Sequence, residues 1–192
     1  MMTKSKLLLT LIPILFVCTS IFSQTKSIEV TQTEINSFSN PEAFSVSYND
    51  RKDITTLSLK FDLRGTDKAL LKKFKELFFE MSSIYAGNLV DNKPVRNLLC
   101  INSRAKRFHF ASNNDLLIGL DSEIIRFVSP DRLTNVKGKK VREQLCWDID
   151  SELVQDLAQA NNLSFTLGSQ NLLISTNNLR SVRSYSKLAK TK

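Results

Sequence analysis

Alternating apolar and polar side chains along short segments constrain the fold of this chain more than any other feature. Over residues 55–63, apolar side chains take every second position from Leu57 to Leu63. Residues 141–149 repeat the pattern around Trp147, whose ring we expect to be largely buried. A period of two places one set of side chains on one face of a strand. The sequence therefore predicts two strands, each with one buried face.

A helix is predicted directly after the first of these strands. Apolar side chains recur there at helical spacing, with lysines and glutamates between them: Leu70, Phe74, Leu77, Phe78 and Met81. Such spacing is typical of an amphipathic helix. We expect a helix over about residues 67–84, capped by Thr66, with Phe74, Leu77 and Phe78 packed on a sheet.

The middle of the chain alternates short apolar runs with turn residues. Runs at residues 98–101, 107–110, 116–120 and 123–128 predict strands of an antiparallel meander. Residues 132–140 carry several cations and a glycine, which favours a basic loop.

The last third predicts two helices separated by a hairpin. Asp150 is a good N-cap, and Glu152 places an acid in the first helical turn. Residues 163–174 predict the hairpin, and a final helix should follow with Leu179 and Val182 facing inward.

Runs of strands with few parallel crossovers favour an α+β fold. We expect a mainly antiparallel sheet, an amphipathic helix after the first strand, and two shorter helices in the C-terminal third. At 192 residues, 42% hydrophobic and 24% charged, the chain suits one globular domain. That domain should span residues 45–192, with a polar lead-in at 24–44 that is mobile or forms a short edge strand.

The beginning of the chain predicts export. Two lysines precede an apolar run over residues 7–17, and small residues follow, as in a secretory signal peptide at residues 1–23. Cleavage after Ser23 would leave Gln24 first and lower the formal charge from +8 to +6, because two lysines leave. The alternatives are an uncleaved anchor and a lipoprotein acylated at Cys18. We expect a periplasmic or extracellular location.

Cleavage would leave two cysteines, Cys100 and Cys146. An even count in an exported protein favours a disulfide, which would close a loop of about 46 residues. The alternative is that both are small buried apolar residues.

Residues for catalysis are few. His109 is the only histidine, and it alternates with Phe108 and Phe110, which favours a surface or structural residue over a general base. A hydrolase would have to use Cys146 or a serine as nucleophile with His109 as its base. We therefore predict no catalytic residue.

The sequence predicts neither a metal site nor a cofactor. A single histidine excludes histidine-rich zinc sites, and no Cys-x-x-Cys pair occurs. The five glycines are scattered, so no phosphate-binding loop is expected.

The C-terminal helix carries the clearest basic stripe of the sequence. Its cations recur every three to four residues: Arg180, Arg183, Lys187 and Lys190. They form either a solvated helix face or a peripheral contact with an anionic surface. Nucleic acid is not expected as a partner, because the leader places the protein outside the cytoplasm.

These patterns favour a non-catalytic exported module that binds an envelope component or a protein partner. The alternatives are a small periplasmic hydrolase and an adhesive C-terminal helix. The segment from Trp147 through its capped helix and hairpin resembles part of uncharacterised exported bacterial proteins. The resemblance implies a secreted accessory domain and assigns no functional residue.

Overall fold

The predicted α+β fold with mainly antiparallel sheets is confirmed. The structure is a computed structural model and describes residues 26–65, 67–90, 93–110 and 115–189. The predicted signal peptide at residues 1–23, the predicted helix cap Thr66 and Lys190 of the basic stripe lie outside the described residues.

Four α-helices lie in the described ranges. They are α1 (Ile28–Asn36), α2 (Lys68–Lys73), α3 (Ser151–Gln159) and α4 (Thr176–Ala189), and a 3-10 turn covers Pro41–Ala43.

Twelve strands lie in the same ranges. They are β1 (Lys26–Ser27), β2 (Phe44–Asn49), β3 (Ile54–Asp62), β4 (Phe74–Ala86), β5 (Leu89–Val90), β6 (Arg96–Ala105), β7 (Leu116–Leu120), β8 (Glu123–Phe127), β9 (Asp131–Lys137), β10 (Lys140–Ile149), β11 (Leu163–Leu167) and β12 (Gln170–Leu173).

A six-stranded sheet forms the frame of the molecule. Its strand order is β2-β3-β4-β6-β10-β9, and every neighbouring pair is antiparallel. One face carries the buried apolar side chains that period-two alternation supplies, including Leu57, Leu99 and Leu145. We call this the inner face. The outer face carries partly exposed polar side chains such as Asn102 and Gln144.

A second sheet and a helix cover the inner face. The second sheet has the order β12-β11-β7-β8. Phe165 on β11 stacks on Phe79 of β4, with the ring centroids 5.0 Å apart. On α4, the hydroxyl of buried Tyr185 lies 2.8 Å from Ser83 Oγ and donates to the Leu57 carbonyl at 3.2 Å. The core is therefore a layer between the large sheet on one side and the small sheet with α4 on the other.

The helix predicted at 67–84 is wrong in extent. α2 ends at Lys73, and β4 takes up the rest of that segment between β3 and β6. Phe74 and Leu77 are buried as expected, but Phe78 lies on the outer face, with Lys60 over its ring. Strand neighbours on both sides provide more burial for the aromatic-rich segment than one helical stripe would, and tertiary context overrides the helical spacing.

Three further segments differ from expectation. Residues 107–110 form no strand, because the side chain of Glu143 on β10 accepts hydrogen bonds from the backbone of His109 and Phe110. The segment at 132–140, predicted to be a basic loop, contains most of β9. The polar segment at 24–44 contains the expected short strand, β1, which pairs with β5, and also α1, whose Ile35 is fully buried. A mostly polar segment therefore contributes an ordered helix to the core.

The structure contains the two helices and the hairpin expected in the last third. The Asp150 side chain caps α3 by accepting from the Leu153 N–H at 2.7 Å. The hairpin β11–β12 and the helix α4 follow, with Leu179 and Val182 buried. Trp147 on β10 is 4% exposed, so its expected burial is also confirmed.

Candidate functional site

Chain topology brings three separate basic segments to one end of the large sheet. Phe74 at the start of β4 pairs with Ala105 at the end of β6, and Ala105 pairs with Val141 near the start of β10. The last turn of α2, the residues after β6 and the β9–β10 turn therefore lie at the same sheet end. Each of the three segments is rich in lysine or arginine.

We call this region the basic end and define it by ten cations. They are Lys72, Lys73, Lys75, Arg104, Lys106, Arg107, Lys137, Lys139, Lys140 and Arg142. Within the described residues, only Arg104 of this set forms a salt bridge, and its partner is Glu76. Ten of the 27 lysines and arginines of the chain are therefore gathered at one end of the large sheet.

Two adjoining cavities open at the basic end. The larger, of about 680 Å³, lies between α2 and the β9–β10 turn, and the smaller measures about 560 Å³. Arg104, Lys139 and Lys140 line both cavities. Leu71 and Ala105 add apolar surface to the larger one. Both volumes fall within the range that small ligands fill in proteins.

Two side chains show the positive potential of this region. The pKa of Lys73 is lowered by partial burial and by the nearby charge of Arg107. The pKa of His109 is lowered by burial first and then by Lys73 and Arg107, while Glu143 acts in the opposite direction. Neighbouring cations disfavour a further positive charge, and an anion would relieve that repulsion.

A buried carboxylate holds the segment that follows β6. Glu143 is 2% exposed on the inner face of β10. Its oxygens accept from the backbone N–H of His109 at 2.8 Å and of Phe110 at 3.3 Å, and Arg132 pairs with it at 2.9 Å. The attachment of this segment also fixes the backbone that carries Lys106 and Arg107. Glu143 is therefore a positioning residue for part of the basic end.

Cys146 and His109 do not form a catalytic pair. Cys146 is joined to Cys100 in a disulfide, and the two cysteines pair directly across β10 and β6. In the alternating strand β10, Cys146 projects to the outer face, whereas His109 binds through its N–H to Glu143 on the inner face. In the disulfide form, Cys146 also has no thiolate to offer as a nucleophile.

Ser103 pairs with Glu143 across β6 and β10, which places a serine beside this cluster. Its Oγ is buried and has no hydrogen-bond partner among the described residues. A nucleophilic serine needs a base within hydrogen-bond reach, and the His109 ring packs on Phe74 instead, with the centroids 4.7 Å apart. The geometry assigns Ser103 no catalytic role.

The basic stripe of the C-terminal helix is partly used within the fold. Arg183 donates to the carbonyls of Ala158 and Ala160 at 3.1 and 3.0 Å, which satisfies the C-terminal end of α3. Arg180, Arg183 and Lys187 are exposed. Three exposed cations on α4 make a smaller charged surface than the ten cations at the basic end.

The described residues contain no group of three or more His, Cys, Asp or Glu side chains that could hold a metal ion. Among the described helices, none is both long enough and apolar enough to cross a membrane.

Local sequence patterns do not predict the basic end, because its cations come from three segments about 30 residues apart. The signals are present, since Lys72, Lys73 and the basic run at 132–140 are plain in the sequence. Their meeting depends on the strand order β4-β6-β10, which no local pattern specifies. A correct assignment of β4 and β9 as strands would have been needed to find it.

Comparison with known proteins finds no matching family model, no similar curated protein and no similar solved structure.

Proposed function

We propose that the protein is an exported, non-catalytic binding module that holds an anionic envelope component at its basic end. The observation that carries this proposal is that nine of the ten cations line two adjoining cavities. Clusters of one sign of charge in a cleft raise the local concentration of ligands of opposite sign. A non-catalytic role accords with the separation of Cys146 from His109 by the sheet.

The cysteine chemistry supports the exported part of the proposal. The disulfide between Cys100 and Cys146 suits an oxidising compartment, since cytosolic thiols are kept reduced. An envelope offers acidic glycans and lipid phosphates as anionic components. The sequence from residue 1 to 23 supports the same location.

Binding of the mature chain to dextran sulfate, a soluble polyanion without lipid, tests the proposal. The double variant Lys139→Gln/Lys140→Gln should bind roughly tenfold more weakly at low salt, because each cation that meets an anion releases counterions. Its affinity should also depend less steeply on salt concentration. Titration calorimetry at several salt concentrations measures both quantities.

The matched control is Arg180→Gln/Lys187→Gln, which removes the same charge from exposed positions of α4. It should bind within about twofold of the wild type, since this pair lies outside the basic end. A larger loss in the α4 variant than in the Lys139/Lys140 variant would place the binding surface on the C-terminal helix and reject the proposal. So would a wild-type protein that does not bind the polymer.

A further inference from the structure

The larger cavity of the basic end combines charge with an exposed leucine. α2 places Leu70 in the core, 7% exposed, and turns Leu71 outward, 46% exposed, at the cavity wall. Lys72 and Lys73 follow directly, and Lys139 and Lys140 line the cavity as well. An inorganic or carbohydrate anion would contact the cations and leave Leu71 in water. A ligand that uses the whole lining has a negative group and an apolar chain.

A second exposed apolar side chain lies in the segment that follows β6. Phe108 is 44% exposed and comes directly after Lys106 and Arg107. Its ring has Arg132 at 5.9 Å from the centroid. Two large apolar side chains are thus exposed within segments whose other exposed residues are mostly cationic. The same combination marks surfaces that rest in the headgroup region of a membrane.

The cations are spread along a sheet end and not gathered around one point. They come from α2 and from four strands of the large sheet, β4, β6, β10 and β9. At the usual strand spacing those four strands span about 14 Å. A charged surface of that breadth can meet several headgroups at once, whereas one small anion would reach only some of the lysines.

We infer that the basic end binds the surface of an anionic phospholipid bilayer, with its lysines on lipid phosphates and Leu71 in the acyl-chain boundary. This inference rests on the proposed function and names its ligand. The bilayer is contacted from one side, as a peripheral surface, and the disulfide-linked sheet remains outside it.

The test measures partition of the mature chain onto vesicles of phosphatidylcholine with and without one-third phosphatidylglycerol. Wild type should bind the anionic vesicles and leave the zwitterionic ones unbound. The variant Lys139→Gln/Lys140→Gln should partition roughly 30-fold less onto anionic vesicles, since each of the two lysines near such a surface contributes about fivefold. Sedimentation with the vesicles gives both values.

The apolar contact is tested with Leu71→Ser, which should lower partition about fivefold through loss of half-exposed apolar area. Its matched control is Leu173→Ser on β12, a residue that is 76% exposed and away from the basic end, and which should leave partition unchanged. Dextran sulfate binding by Leu71→Ser should equal that of wild type, because the polymer has no acyl chain. Circular dichroism confirms that each variant is folded.

Two spectroscopic measurements add to the test. In the variant Leu71→Trp, brominated acyl chains should quench the new fluorescence, while buried Trp147 contributes a constant signal. The single histidine, His109, faces Lys73, Arg107 and Glu143, and its proton resonance should report a raised pKa on anionic vesicles because lipid phosphates offset the nearby cations.

The outcomes separate the two proposals. Binding to dextran sulfate without binding to anionic vesicles would overturn the bilayer inference and leave the proposed function standing. Vesicle binding that is equal for wild type and Leu71→Ser would overturn the acyl-chain contact and indicate purely electrostatic attachment. Failure to bind either probe would remove both proposals.

Discussion

At the scale of single residues, Glu143 connects the core to the candidate site. Its carboxylate lies on the inner face and is 2% exposed, and it receives two backbone N–H groups and Arg132. A buried charge is tolerated when it is paired and hydrogen-bonded, and its removal leaves the partners unsatisfied. The carboxylate of Glu143 therefore holds the backbone of the segment at 106–110, together with the packing of His109 and Phe110 on Phe74.

Glu143→Gln should lower the free energy of unfolding by about 3 kcal/mol, because Arg132 loses its buried counter-charge. Urea denaturation followed by the fluorescence of Trp147 measures the change. The control is Asp148→Asn, which breaks an exposed pair with Arg96 and should cost under about 1 kcal/mol. Equal losses in the two variants would show that Glu143 is not held as the structure describes.

At the scale of elements, α4 is fastened to the large sheet by two tyrosine hydroxyls. Tyr85 on β4 donates to the Ala189 carbonyl at 3.0 Å, and Tyr185 on α4 donates to the Leu57 carbonyl. Burial raises the pKa of both hydroxyls, that of Tyr85 to about 12. The helix is thus joined to the sheet by groups that must remain protonated.

Stability should decrease at alkaline pH, beginning near pH 10. In the unfolded chain Tyr85 ionises near its ordinary pKa of 10.0, but in the folded protein only at about 12. Between these values the unfolded state binds fewer protons, so the free energy of unfolding falls as pH rises. Tyr85→Phe should show a shallower decrease in melting temperature across this window. An unchanged slope would contradict the buried hydroxyl.

Local sequence patterns predict some helices and strands of this fold correctly and others incorrectly. β10 and α3 are predictable because alternation around Trp147 and the cap at Asp150 each point to one structure. The segment at 74–86 satisfies two periods at once, since Phe74 and Met81 fit a helical stripe and Phe79 and Met81 fit a strand. The choice between them is made by pairing with β3 and β6, which lie outside the segment itself.

At the scale of the whole molecule, the basic end is a product of topology. Its ten cations come from residues 72 to 142 and converge only when β4, β6 and β10 pair. In the unfolded chain these three groups of cations are separated by about 30 residues each and are well solvated. Folding therefore brings like charges together at an electrostatic cost, which an anion or added salt reduces.

Added salt should stabilise the protein through this region. Raising the ionic strength from about 0.01 M to about 1 M shortens the screening length from roughly 30 Å to 3 Å and weakens repulsion among the cations. The melting temperature of wild type should rise more across this range than that of Lys139→Gln/Lys140→Gln. Differential scanning calorimetry measures the difference between the two proteins, in which salt effects on other ion pairs cancel. Parallel salt curves would contradict the clustering of these charges.

The disulfide provides a way to measure the yield of correctly folded chains. Cys100 and Cys146 face each other because β6 and β10 pair in one register. A shift of β10 by a single residue would send the Cys146 sulfur to the opposite face of the sheet, out of reach of its partner. The disulfide between these two cysteines therefore indicates that β6 and β10 are paired in the native register. In a refolded preparation, the fraction of chains without free thiols reports the yield of correctly aligned molecules.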